Sequence, residues 1–152
     1  RGLFENSVEE LGLGTPASRV VTVRPSTTLG AALALMEDRG VSVLPVVEES
    51  PTDPGKLVVR DVLRRAWVAR LVSPTMVWVP RLDAPVWEAL EALRGEVGST
   101  QPPTLLPSHS LKRAVAVLNA AKVSSVVVVD DPNSMVLVGV VSLADVFGYF
   151  LR

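Results

Sequence analysis

The sequence predicts an α/β (α+β) fold of two repeats, each strand–helix–strand–strand–helix, packed as a pseudo-two-fold pair. Three observations lead there. Apolar residues make up 48% of the 152 and are mostly Val, Leu and Ala rather than aromatics, a composition that suits buried strands covered by helices. Runs of β-branched residues alternate along the chain with stretches whose apolar positions recur at helical spacing. The second half also repeats the first. Arg24-Pro25-Ser26-Thr27-Thr28-Leu29 lines up with Leu106-Pro107-Ser108-His109-Ser110-Leu111 at an offset of 82. The same offset carries Val41-Ser42 onto Val123-Ser124 and Val46-Val47-Glu48 onto Val128-Val129-Asp130 without a gap. A repeat of about fifty residues cannot bury an adequate core alone, so two should pack together and leave clefts at their junction.

In order, Ser7-Val8-Glu9-Glu10 resembles a helix start in which Ser7 caps and Glu10 answers it, and Gly12 and Gly14 end that turn. Arg19–Val23 reads as a strand, and Pro25–Thr28 as a turn with an N-cap. Leu29, Ala32, Leu33 and Met36 share one helical face, and Gly40 closes that helix. Val41–Val47 is a second strand, Ser50–Gly55 a turn, and Lys56–Val59 a short third strand. Asp61 begins a helix through about Ala69. It maps onto Asp145 at offset 84, which makes the first hairpin two residues shorter than the second.

Residues 71–101 belong to neither repeat. Within them Val77–Val79 reads as extended, Val86–Leu93 as a helix with Pro85 near its first turn, and Gly95–Pro103 as a linker. The division is residues 1–70 as the first repeat with its lead-in, 71–102 as an inter-repeat linker carrying a helix, and 103–152 as the second repeat. The second repeat closes on Val136–Leu151, where a β-branched run stops at Ser142 and an amphipathic stretch opens around Asp145. A buried strand feeding a helix puts unpaired N–H groups and partial positive charge at that junction, which suits phosphate. A carboxylate in the first turn can accept the paired hydroxyls of a ribose.

Composition narrows the function. A formal net charge of −1 gives no global field for nucleic acid or an anionic membrane. The absence of Cys excludes thiol catalysis, disulfides and Cys-ligated metals, and is compatible with a reducing compartment. His109, the only His, precedes the helix start at Ser110-Leu111 and reads as a surface or capping residue; one His makes neither a typical zinc site nor a triad. The most apolar run, Val126–Val141, is broken by Asp130, Asp131 and Asn133 and falls short of the ~20 residues a membrane span needs. No secretory signal is evident, and a start at Arg1-Gly2-Leu3 reads as a fragment of something larger. With no His–carboxylate pair, activated nucleophile, Gly-rich phosphate loop or metal spacing, no enzyme is expected.

Particular residues carry a family resemblance. The repeat resembles a pair of CBS domains, the tandem (Bateman) module that binds adenine nucleotides. The lead-in Ser7-Val8-Glu9-Glu10-Leu11-Gly12-Leu13-Gly14-Thr15, the strand Val41-Ser42-Val43-Leu44-Pro45-Val46-Val47 and the close Val138-Gly139-Val140-Val141-Ser142-Leu143-Ala144-Asp145-Val146 are similar to the C-terminal CBS pair of the AMP-activated protein kinase gamma subunit family. Leu82-Asp83-Ala84-Pro85-Val86 resembles the linker before that family's fourth repeat. The resemblance implies AMP, ADP or ATP as a regulatory ligand with no metal, kinase catalytic and scaffold subunits as partners, and a cytoplasmic or nuclear setting. Homodimerisation of an isolated pair would also be compatible with it.

By that resemblance the nucleotide-binding residues are Thr15, Val21, Val41, Ser42, Ser124, Ser142 and Asp145, with Asp61 as the first repeat's counterpart of Asp145. The chemistry fits. Amides beside Val21 and Val41 can read an adenine edge, Asp145 can take the ribose diol, and the Ser42 and Ser142 hydroxyls can donate to phosphate. The chain departs from the pattern at Ser124-Ser125, where the family has His-Arg. Charge-assisted bonds are roughly twice as strong as neutral ones, so losing both cations implies weaker nucleotide binding. Ala144 replaces a serine, and Val58 stands where the first repeat's S-x-x-D hydroxyl should be.

Plainer roles compete with these. Asp145 and Asp61 can be ordinary helix-start carboxylates, Ser42 and Ser124 can bond local backbone, and Thr15 after Gly14 suits a turn. Arg60–Arg70 reads as a solvated helix face, and Trp67, Trp78 and Trp87 as core or interface residues. Two functions follow: a non-catalytic regulatory module that senses adenine nucleotide, or a pair that serves only as a structural scaffold between subunits.

Overall fold

The repeat is written into the backbone hydrogen bonds of a computed structural model that describes residues 2–71, 81–97 and 102–151. In chain order its elements are β1 (Thr15–Pro16), α1 (Leu29–Arg39), β2 (Val43–Glu49), β3 (Leu57–Arg64), α2 (Arg65–Leu71), α3 (Val86–Val97), β4 (Thr104–Leu105), α4 (Leu111–Ala121), β5 (Ser125–Val129), β6 (Leu137–Ser142) and α5 (Leu143–Phe150). Single 3-10 turns lie at Leu3–Glu5 and Ala17–Arg19. The expected α/β repeats are present. The chain forms two compact units, one of Val21–Glu48 with Val59–Gln101 and one of Arg1–Val20, Glu49–Val58 and Pro102–Arg152.

In the first of these units, the Thr28 hydroxyl accepts the Ala31 N–H at 3.2 Å and caps α1. Gly40 ends the helix at φ 64°, a left-handed conformation that costs glycine nothing. The α1 face of Leu29, Ala32 and Met36 is buried. It joins Val23, Leu44, Val46 and Leu63 in a core completed by Val86, Ala89, Leu90 and Leu93 of α3. β2 and β3 form a two-stranded sheet, and Val23 adds a single parallel bridge to Val46.

The other unit holds a four-stranded sheet of order β1-β6-β5-β4. β5 and β6 are antiparallel with Ser125 opposite Ser142, β4 runs parallel to β5, and β1 lies antiparallel to β6 with Thr15 opposite Val140. Ser110 caps α4 by accepting the Arg113 N–H. The core comprises Leu105, Leu111, Ala114, Leu118, Val126, Val128 and Val141, joined by Val8 and Val146. Ser7 and Glu10 do bond reciprocally, with Glu10 N–H to Ser7 Oγ at 3.0 Å and Ser7 N–H to Glu10 Oε1 at 3.2 Å, but the residues that follow form turns and not the expected helix.

The two cores match position by position. Val23, Leu29, Ala32, Met36, Leu44 and Val46 become Leu105, Leu111, Ala114, Leu118, Val126 and Val128 on adding 82, and Leu63 becomes Val141 on adding 78. The repeat also reaches further back than the sequence suggested. Leu29 N–H donates to Ala84 O, Val86 N–H to Thr27 O and Trp87 N–H to Pro25 O. Leu111 N–H to Asn6 O, Val8 N–H to His109 O and Glu9 N–H to Pro107 O reproduce that set. The lead-in and the start of α3 are therefore counterparts. The segment before the second repeat closes the first repeat's core, and the lead-in closes the second's.

Several expectations are corrected. Arg19–Val23 is not a strand: Arg19 ends a 3-10 turn and only Val23 makes a bridge. β3 runs to Arg64, past the expected Val59, because Val62 and Leu63 are fully buried and the intervening Asp61 charge is paired with Arg94. Asp61 therefore lies inside a strand and starts no helix. Gly95 lies within α3, so the linker begins later than expected. Arg64 is buried at 5% exposure and is not on a solvated helix face. Val77–Val79 and Trp78 lie outside the described residues.

Candidate functional site

The junction of β6 with α5 is built by a reciprocal cap. Ser142 has extended dihedrals (φ −110°, ψ 163°), and its hydroxyl accepts the Asp145 N–H at 3.1 Å. Asp145 Oδ2 accepts the Ser142 N–H at 2.8 Å, completing a capping box. This is the plain role foreseen for Asp145, and it leaves chemistry to spare. Asp145 Oδ1 makes no hydrogen bond among the described residues, and the Ser142 hydroxyl, here an acceptor, keeps its proton to donate. A carboxylate in the first turn also lies favourably in the helix dipole.

Ser124 and Thr15 belong to the same unit. The Ser124 carbonyl accepts the Leu143 N–H at 2.8 Å, which ties the start of β5 to the start of α5. Thr15, on β1, lies opposite Val140, two residues before Ser142 on β6. Gly139 makes this approach possible, since a Cβ there would come within 2.5 Å of Thr15 O. Thr15 also lines a hollow of about 350 Å³ with Glu9, Gly14 and Arg19. Thr15, Ser124, Ser142 and Asp145 are thus placed by one four-stranded sheet and the helix that follows it.

Val21, Val41, Ser42 and Asp61 belong to the other unit. Val21 packs on its core. The backbone of Val41 is committed internally: its N–H donates to Met36 O at 3.1 Å and its carbonyl accepts from Arg65 Nη2 at 3.0 Å. The Ser42 side chain is exposed and its carbonyl accepts the Arg65 N–H at 2.9 Å. Asp61 is buried at 6% exposure; one oxygen accepts the Val62 N–H at 2.8 Å and the other pairs with Arg94. Both Asp61 oxygens are already used.

Arg65 N–H to Ser42 O and Leu143 N–H to Ser124 O are the same bond in the two repeats. The counterpart of Asp145 is therefore Trp67, and that of Ser142 is Arg64. The first hairpin is four residues longer than the second, with β2 and β3 seven and eight residues against five and six for β5 and β6. Arg64 and Trp67 interact, the guanidinium carbon 5.7 Å from the indole centroid. Burial pushes the Arg64 pKa below the ordinary arginine value. Sequence reasoning missed this pair; the identity of Ala66 with Ala144 at offset 78 was the available signal.

Among the described residues no cluster of His, Cys, Asp or Glu could hold a metal ion, and no helix is long and apolar enough to cross a membrane.

The family model described as "CBS domain" matches residues 8–66 and 95–152. Solved structures share the fold. CBSX2 in complex with AMP is 21% identical over 96% of each chain, with a TM-score of 0.68. The CBS domain of the bacterial CNNM/CorC family Mg2+ transporter in complex with ATP is 21% identical over 98% of this chain and 89% of that one, with a TM-score of 0.67. A CBS domain protein from Pyrobaculum aerophilum complexed with AMP is 22% identical over 91% and 88%, with a TM-score of 0.64. By sequence, no curated protein matches the chain.

Proposed function

Because the chain belongs to the CBS domain family, as a tandem pair, we propose that it is a non-catalytic regulatory module that binds an adenine nucleotide. One observation carries this reading: among the described residues, the Ser142–Asp145 cap leaves Oδ1 and a hydroxyl proton unused beside a helix N-terminus. The ribose hydroxyls donate to Asp145, and phosphate accepts from the Ser142 hydroxyl in the positive field of α5. Ser124, whose carbonyl holds the Leu143 N–H, and Thr15, on the strand beside β6, are further polar groups of the same unit. Structural neighbours solved with AMP or ATP support the ligand class.

Regulation follows from differential affinity. A nucleotide that binds one conformation of the module better than another shifts its population, and a partner reads the shift. The finer assignment, a gamma-type subunit of a heterotrimeric kinase responding to AMP, ADP and ATP, rests on the Leu11–Thr15 lead-in and the Val138–Asp145 close. Copurification with kinase catalytic and scaffold subunits tests it.

A second reading, a scaffold that binds partner proteins without a ligand, is favoured by an apolar groove of about 850 Å³ between α4 and α5. Phe4, Phe147 and Phe150 line it and are 47%, 60% and 43% exposed.

Thermal melting of the chain with AMP, ADP and ATP, alongside Asp145→Ala, separates the two readings. A ligand that binds only the folded state raises the melting temperature with concentration. The nucleotide reading expects a rise in the native chain that is lost in the variant. No rise at millimolar nucleotide leaves the scaffold reading.

A further inference from the structure

Each repeat offers one strand-to-helix junction, and the two differ in chemistry. Their equivalence is fixed by the paired backbone bonds from Arg65 to Ser42 and from Leu143 to Ser124, and by the buried residues Leu63 and Val141 just before them. The second junction carries a hydroxyl at Ser142 and a carboxylate at Asp145. At the same places the first carries the Arg64 guanidinium and the Trp67 indole.

Neither replacement can accept a hydrogen bond. A guanidinium and an indole N–H only donate, so nothing at these two positions takes the protons of a ribose diol. The two side chains also interact with each other, Arg64 lying 5.7 Å from the Trp67 ring at a separation where cation–π attraction is felt. Arg64 is buried, and Trp67 packs against the core of its unit. The carboxylate nearest in sequence, Asp61, is buried with one oxygen on the Val62 N–H and the other on Arg94. α2 has seven residues, a short helix to present an N-terminus.

We propose that the chain binds one adenine nucleotide per polypeptide, at the Asp145 junction, and that the Arg64–Trp67 pair closes the first repeat's junction to nucleotide. This rests on the nucleotide-binding reading above. It differs from it in predicting the stoichiometry and the residues that set it.

Calorimetric titration of the 152-residue chain with AMP tests both. The expected result is one AMP per chain in the native protein and affinity weakened about 100-fold or more in Asp145→Ala, the loss of charged hydrogen bonds to the diol. Two AMP per chain, falling to one in Asp145→Ala, would overturn the single-site inference and leave the nucleotide reading standing. One AMP per chain unaffected by Asp145→Ala would overturn the placement. No heat at millimolar AMP would overturn the nucleotide reading itself. The double variant Arg64→Ser/Trp67→Asp, which restores a hydroxyl and a carboxylate, is expected to raise the count from one to two. If it melts like the native chain and still binds one, the Arg64–Trp67 pair is not what closes the junction. If it fails to fold, the native stoichiometry and Asp145→Ala decide.

Discussion

Arg94 of α3 pairs with the carboxylate of Asp61 in β3, whose other oxygen accepts the Val62 N–H at 2.8 Å. The pair is asymmetric, the Asp61 side chain 8% exposed and the Arg94 side chain 43%. It joins an element read from the sequence as inter-repeat to the sheet of the first repeat, beside the packing of Val86, Ala89, Leu90 and Leu93.

Removing Arg94 leaves a buried carboxylate with a single partner. Arg94→Ala is expected to destabilise the chain by about 1–3 kcal/mol, below the cost for a fully buried pair because Arg94 is half in water. Asp61→Asn, which keeps an acceptor for the Val62 N–H, should cost less. Urea unfolding of both single variants and the double variant checks this through a coupling energy of about 0.5 kcal/mol or more. Additive effects would contradict it.

At Gly139, β6 lies too close to β1 to admit a side chain. A Cβ there meets Thr15 O at 2.5 Å and Pro16 Cα at 3.6 Å. Both are backbone atoms, so Gly139→Ala should lift β1 from β6, cost about 1–3 kcal/mol and weaken AMP binding through Thr15. Gly148→Ala, in α5 with no atom of the described residues within 4 Å of the added carbon, should be neutral or stabilising by up to about 1 kcal/mol. Thermal melts of the two variants make the comparison.

His109 Nδ1 accepts the Leu106 N–H at 3.0 Å, which an imidazole can do only when neutral. Desolvation, and then the Arg113 charge, hold its pKa below the ordinary 6.5. The unfolded chain therefore takes up this proton more readily. The contribution is whole above the ordinary value and is lost as pH falls through the lowered folded value. Urea midpoints measured between about pH 7 and about pH 5 should decline on this account. His109→Asn, whose amide oxygen can accept the same N–H without titrating, should flatten part of the decline. Superimposable pH profiles would contradict the role.

Much of this was legible in the sequence. The 82-residue offset, the Thr28 and Ser110 caps, the α1 face and the strand ending at Ser142 could all be read from local pattern and spacing. The offset of Asp61 onto Asp145 could not. A carboxylate after a β-branched pair looks like a helix start, and only the distant Arg94 shows that the strand runs on through it. The kinship of the lead-in with α3 was equally hidden. It is carried by backbone bonds to Pro25, Thr27, Pro107 and His109, and few side chains reveal it. Arg64 misled for the same reason, since a basic residue reads as solvated unless the packing around it is known.

The Ser124-Ser125 pair adds no cation to the site, and Asp145 brings a negative charge of its own. Each further phosphate then adds repulsion that the Ser124-Ser125 pair does not offset. AMP is expected to bind at least as tightly as ADP, and ATP more weakly, by up to about tenfold. Competition titrations against a fluorescent AMP analogue measure the order, and tighter binding of ATP would contradict it.

The most direct test is residue-resolved: AMP titrated into uniformly 15N-labelled chain and followed by amide NMR. Saturable shifts of the Ser142, Asp145 and Thr15 amides, absent in Asp145→Ala, are expected. Shifts confined to α1 and α2, or none at millimolar AMP, would contradict this.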